Sequence, residues 1–155
     1  IRKGFFTYKY LDETLDFDKY EFFFMGRSPV GFKNIVSLGA LSSHDVASEL
    51  RKSDIFITAS ENDPCSNSLI EALACELPAL ALNSGGHPEL VGKGGLFYDK
   101  KEEIVNKLQD LCDNYIEIKR QIVAKHIHTA ANEYVDFMQG LKHESKNSKN
   151  IRKYT

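Results

Sequence analysis

The stretch from Ser53 to Glu89, SDIFITASENDPCSNSLIEALACELPALALNSGGHPE, constrains the fold more than any other part of the chain. DIFITA, residues 54–59, is short, apolar and β-branched, the pattern of a buried strand. NSLIEALACE, residues 67–76, places Leu69, Ile70, Leu73 and Ala74 among helix formers, and Pro78 forbids the helix from continuing. ALAL, residues 79–82, reads as a second buried strand, followed by the turn Asn83-Ser84-Gly85-Gly86. Two apolar strands joined by a helix form a βαβ unit, and that unit requires a parallel sheet. Ligands of such sheets sit beyond the carboxyl ends of the strands. In this chain that place is the polar loop Ser60–Asn67, which runs into a helix N-terminus.

The flanking sequence extends the same alternation. Residues 4–14, dense in Phe, Tyr and Leu, read as a helix with one buried face, preceded by Arg2-Lys3-Gly4. YEFFFMGRSP, residues 20–29, and NIVSLGAL, residues 34–41, read as strands ending in turns. Ser42, Ser43 and Asp45 offer N-caps for the helix DVASELRKS. GGLFYD, residues 94–99, reads as the last strand. Helices are expected over about 101–114 and 116–139, from apolar residues at helical spacing such as Ile104, Leu108, Leu111, Tyr115, Ile118 and Ile122. The predicted fold is α/β: a Rossmann-like parallel sheet with helices on both faces, over residues 1–140. The tail 142–155 carries five Lys or Arg and few apolar residues, so a disordered basic terminus is expected from 141 onward.

Composition excludes several classes. A net charge of −2 gives no drive toward nucleic acid. Cys65, Cys75 and Cys112 are odd in number and lack C-x-x-C spacing, which fits free thiols in a reducing, cytoplasmic setting. No apolar run approaches the ~20 residues of a membrane span. His126 and His128, at i and i+2, fall on different helix faces and make a poor metal pair. No G-x-G-x-x-G follows a predicted strand, which counts against a dinucleotide enzyme. The abrupt start at Ile1 is read as the start of a fragment.

Taken together, Asp63, seven intervening residues, Glu71, EALACELPALAL and the turn GGHPE resemble the donor-binding signature of retaining glycosyltransferases of the GT-B fold, in the large fourth family (group 1). Three places depart from the family pattern: the first acid is aspartate rather than glutamate, Cys65-Ser66-Asn67 stands where a Gly-Phe-Gly-like run is usual, and Glu76 stands where glycine is common. The resemblance implies the C-terminal, nucleotide-sugar-binding half of a two-domain enzyme. The donor is a nucleotide diphosphate sugar, UDP ahead of GDP, and the acceptor a glycan or lipid-linked molecule held by an N-terminal domain. No metal or other cofactor is implied. The isolated fragment is expected to bind donor weakly and to transfer nothing. A peripheral position at the inner membrane face is a further expectation, since the basic tail suits an anionic leaflet.

The same resemblance implies roles for individual residues, each with a plainer structural alternative. Lys3, with Arg2 beside it, would meet the donor diphosphate, where the alternative is a pair of solvated surface charges. Gly39, Ala40 and Leu41 would meet the nucleobase through backbone groups, where the alternative is an ordinary strand-to-helix turn. Asp63 would accept hydrogen bonds from the donor sugar, where Asp-Pro is otherwise a good helix start. Cys65, Ser66, Asn67 and Ser68 are small enough for their amides to approach a phosphate. Glu71 lies among Leu69, Ile70, Ala72 and Leu73, where a carboxylate is costly unless hydrogen-bonded, and the ribose hydroxyls would meet that need. An exposed or salt-bridged glutamate is the alternative. Asp63 and Lys3 are the candidate catalytic pair. His87 is read as structural rather than as a base. A nucleotide-sugar-binding module without catalysis, and another Rossmann-like sugar-nucleotide enzyme, are the competing functions.

Overall fold

The computed structural model describes residues 3–124 and 127–151. The chain divides into two compact units, Ile1–Ala124 and Lys125–Thr155. In the first unit the order is α1 (Phe5–Thr14), β1 (Phe23–Met25), β2 (Val36–Gly39), α2 (Ser43–Lys52), β3 (Phe56–Thr58), α3 (Asn67–Ala74), β4 (Ala79–Leu82), α4 (His87–Val91) and β5 (Gly95–Tyr98). A 3-10 turn, Lys101–Glu103, then leads into α5 (Ile104–Asp113) and α6 (Tyr115–Lys119). Every strand pair is parallel. This is the Rossmann-like α/β arrangement expected from the sequence.

Strand β4 explains the layering. Side chains alternate across a strand. Leu80 enters one core, with Tyr8, Leu11, Tyr98, Ile104 and Leu111 from the α1 and α5 side. Ala79 and Ala81 enter the opposite core, with Leu69, Leu73 and Val91 from α3 and α4. A strand buried on both faces must be apolar throughout, and ALAL is.

Three expectations are corrected. The expected single sheet is two ladders, β1–β2 and β3–β4–β5. The strands expected ahead of the turns in 20–29 and 34–41 are shorter than expected, three and four residues long. Gly26 (φ 114°) and Gly39 (φ 70°) turn the chain out of extended geometry at their ends. The helix expected over 116–139 is broken after α6. Ile118 joins the core beneath α1, whereas Ile122 packs beside Ala79 and Val91 in the opposite core. Residues at i and i+4 of one helix share a face, so two destinations require a turn between them.

Asp12 makes a contact that local patterning does not reveal. Its carboxylate is fully buried on α1. It accepts the backbone N–H groups of Lys33, Asn34 and Ile35 at 2.8–3.0 Å and pairs with Lys9 at 3.2 Å. Burial pushes its pKa up, but the three amides and Lys9 outweigh it and hold the carboxyl at about 2.

In the second unit, α7 (Ile127–Ile151) continues past the expected end near 139, so the backbone of the basic tail is helical as far as Ile151. Ile127, Tyr134, Phe137 and Met138 on this helix are exposed.

Candidate functional site

The site is built where β3 and β4 end. The loop after β3 carries Asp63, and the turn after β4 carries Ser84, Gly85 and Gly86. Two hydrogen bonds join them: Asn62 N–H donates to Ser84 Oγ, and Gly86 N–H to the Asp63 carbonyl, both at 2.9 Å. The fit admits no side chain. A Cβ on Gly85 would lie 2.4 Å from the Asp63 carbonyl oxygen, and one on Gly86 would lie 2.2 Å from that of Pro64. The paired glycines therefore do more than form a turn: they let one backbone lie directly on the other. Asn62 takes a positive φ of 51°, which asparagine tolerates better than most residues.

Lys3 reaches the same place. Its Nζ is 3.6 Å from Asp63 Oδ2. Gly4, at the N-terminus of α1, is left-handed and lies against the Ala59 carbonyl just beyond β3. That contact brings the start of α1 to the carboxyl end of the ladder. Arg2 lies outside the described residues.

Asp63 is not the N-cap of α3. That helix begins at Asn67 with Ser66 as its cap residue, and Asp63 Oδ1 instead accepts the Cys65 N–H at 3.3 Å. Its second oxygen is left to Lys3. Ser66 is buried, and its hydroxyl lies 3.3 Å from that of Ser68 instead of bonding the amides of the first helical turn. Cys65, Asn67 and Ser68 are exposed.

Glu71 corrects the reasoning that singled it out. It is exposed, not embedded in apolar surroundings. Leu69, Ala72 and Leu73 form the buried face of α3, and Glu71 shares the opposite face with Asn67, one turn before it. The cost of burial thus gives no reason for a partner. What remains is an accessible carboxylate near the loop that carries Asp63.

Gly39, Ala40 and Leu41 stand at the carboxyl end of β2, in the other ladder. The Gly39 carbonyl accepts the Gly26 N–H at 2.7 Å. Ser42 is engaged as the cap of α2, accepting the Asp45 N–H at 3.2 Å and donating to the Asp45 carboxylate at 2.7 Å. The structure therefore joins Lys3, Asp63 and Cys65 by direct contacts and places Gly39–Leu41 on a separate ladder.

His87 is fully buried. Its Nδ1 lies 2.9 Å from the Leu82 carbonyl, which only accepts, so Nδ1 carries the proton. Nε2 is buried without a hydrogen-bond partner. The ring ties α4 to the end of β4, a structural role. Ser84, which holds the Asp63 loop, was legible only as a turn residue. Among the described residues, no group of three or more His, Cys, Asp or Glu could hold a metal ion. No described helix is long and apolar enough to cross a membrane.

In a parallel α/β domain, a polar loop at the strand ends stands where ligands of such sheets bind. The family model described as "Glycosyl transferases group 1" matches residues 32–128, well over half of the chain. The chain belongs to that family, and its domain is of the nucleotide-sugar-binding glycosyltransferase type. No curated protein matches it.

Proposed function

We propose that this domain binds a nucleoside diphosphate sugar, with UDP preferred over GDP, at the carboxyl ends of β3 and β4. It serves the retaining transfer of the sugar to a glycan or lipid-linked acceptor, held by a further domain of the enzyme at the cytoplasmic side of a membrane. The observation that carries this reading is the Lys3–Asp63 contact at 3.6 Å beside the N-terminus of α3. A cation suited to a diphosphate and a carboxylate suited to sugar hydroxyls lie within the span of one donor.

The roles follow from charge and exposure. Lys3, with Arg2, neutralises the charge that grows on the departing diphosphate, helped by the amides of Cys65, Ser66, Asn67 and Ser68. Asp63 accepts hydroxyls of the donor sugar once Lys3 turns to the diphosphate. Glu71 accepts the vicinal ribose hydroxyls, and its exposure on α3 leaves the carboxylate accessible. Gly39, Ala40 and Leu41 meet the base. The step relies on electrostatic stabilisation of a leaving group, and neither a general base nor a metal is assigned to it.

Calorimetric titration with UDP and GDP, beside Glu71→Ala, tests the reading. Saturable UDP binding, weakened by more than about 1 kcal/mol in Glu71→Ala, is expected. Binding of neither nucleotide, or UDP binding indifferent to Glu71→Ala, contradicts it.

A further inference from the structure

Two tyrosine hydroxyls meet on one peptide group where β3 ends. Tyr98 of β5 donates its O–H to the Thr58 carbonyl at 3.1 Å, and the Ala59 N–H donates to the Tyr8 hydroxyl of α1 at 3.2 Å. That carbonyl and that N–H belong to the same peptide bond. It is trans, so the two groups point in opposite directions, and the tyrosines hold it from both sides. Thr58, Ala59 and both tyrosines are buried. Burial pushes both phenols above their usual range, so each keeps its proton.

Packing alone does not call for these hydroxyls. The Tyr8 ring lies against Phe22 and Phe24, and Tyr98 shares its core with Leu11, Ile104 and Leu111, surroundings that suit phenylalanine equally. What the hydroxyls hold is a junction of the site. Ala59 meets α1 twice, one helical turn apart: its carbonyl lies against Gly4, and its N–H bonds Tyr8. Lys3 directly precedes Gly4, and the chain runs from Ala59 through Ser60, Glu61 and Asn62 to Asp63. The far side of the Asp63 loop is fixed by Ser84 and Gly86. The 58–59 peptide is therefore the shared anchor of both members of the Lys3–Asp63 contact.

We propose that Tyr8 and Tyr98 are positioning residues of the donor site: by fixing the 58–59 peptide they set Lys3 and Asp63 at the spacing that receives a diphosphate and its sugar. The role rests on the reading of that pair as donor contacts. Both tyrosines are buried and act through Lys3 and Asp63, not on the ligand. Phenylalanine at position 8 keeps the ring but strands the Ala59 N–H, so the peptide turns toward another acceptor and carries Gly4 and the Asp63 loop with it. Tyr98→Phe releases the carbonyl side of the same peptide and acts in the same direction.

The test has one readout without ligand and one with it. In the free protein, the Asp63 carboxyl resonance is compared among Lys3→Met, Tyr8→Phe and Tyr98→Phe. Loss of the Lys3 contact moves it, and both phenylalanine variants should move it in the same direction. A resonance unmoved in either phenylalanine variant overturns the proposal, even where that variant melts earlier. Should one of the two fail to fold, the other carries the comparison. In calorimetric titration with UDP, Tyr8→Phe should weaken binding about fivefold, but less than about twofold once Lys3 is methionine, because residues acting through one contact are not additive. An equal loss in both backgrounds makes Tyr8 a structural residue only and overturns the proposal. UDP binding by none of these proteins overturns the donor reading, and the free-protein resonance then decides the positioning claim alone.

Discussion

Asp12 and Asp63 are the same side chain in opposite settings. Asp12 is fully buried, and three backbone amides and a lysine saturate its oxygens. Nothing is left for a ligand, and the residue closes the 33–35 turn onto α1. Asp63 is partly exposed, with one amide at 3.3 Å and one lysine at 3.6 Å. Its backbone, by contrast, is held firmly by Ser84, Gly85 and Gly86. A structural carboxylate has its charge satisfied within the protein. Asp63, the carboxylate proposed for the donor site, has its position fixed and its charge only partly satisfied within the protein.

Substitutions can break this contrast. The largest effect is expected from Asp12→Ala, which strands three amides, that of Ile35 buried and those of Lys33 and Asn34 part-buried, and should cost about 3 kcal/mol in a denaturant titration. The pH dependence has a definite sign. The folded carboxyl sits at about 2, below its ordinary 3.8, so its contribution is complete above 3.8 and fades as pH falls toward 2. The stability gap between the protein and Asp12→Asn should therefore close over that interval. A gap that stays constant down to pH 2 would deny the charge its role.

Next comes Gly86→Ala. A methyl 2.2 Å from the Pro64 carbonyl forces the two loops apart, at about 2 kcal/mol by thermal unfolding, and should weaken UDP binding as Asp63 moves. The smallest stability change belongs to Lys3→Met. Lys3 is 66% exposed, and the loss of its ion pair should change stability by less than about 1 kcal/mol. The same variant should lower UDP affinity about tenfold, the scale of a lost charged hydrogen bond. A large stability loss with unchanged affinity would make Lys3 a structural residue like Asp12.

Much of the central unit was legible because its signals are local. A buried strand, a proline stop and a glycine turn fix β4 and α4 to within a residue or two. The spacing that puts Glu71 on the same face as Asn67 was equally visible. Its burial was misread because neighbours in sequence were weighed instead of neighbours on the helix. The period of 3.6 sends Leu69, Ala72 and Leu73 inward and Glu71 outward. Asp12 was illegible for a different reason: its partners lie more than 20 residues away, and an aspartate within YLDETLD looks like any surface charge. The break after α6 is similar, since only the two cores that receive Ile118 and Ile122 require it. The division of the sheet into two ladders also depends on pairing between distant segments, which local patterning does not encode.

The contrast between the two aspartates can be measured directly. Side-chain carboxyl resonances of Asp12 and Asp63 would be followed during titration with UDP. Asp63 should shift saturably as Lys3 exchanges partners, with Asp12 unmoved. A saturable titration that leaves Asp63 unmoved, or no binding at all, would contradict the assignment of Asp63 to the donor site.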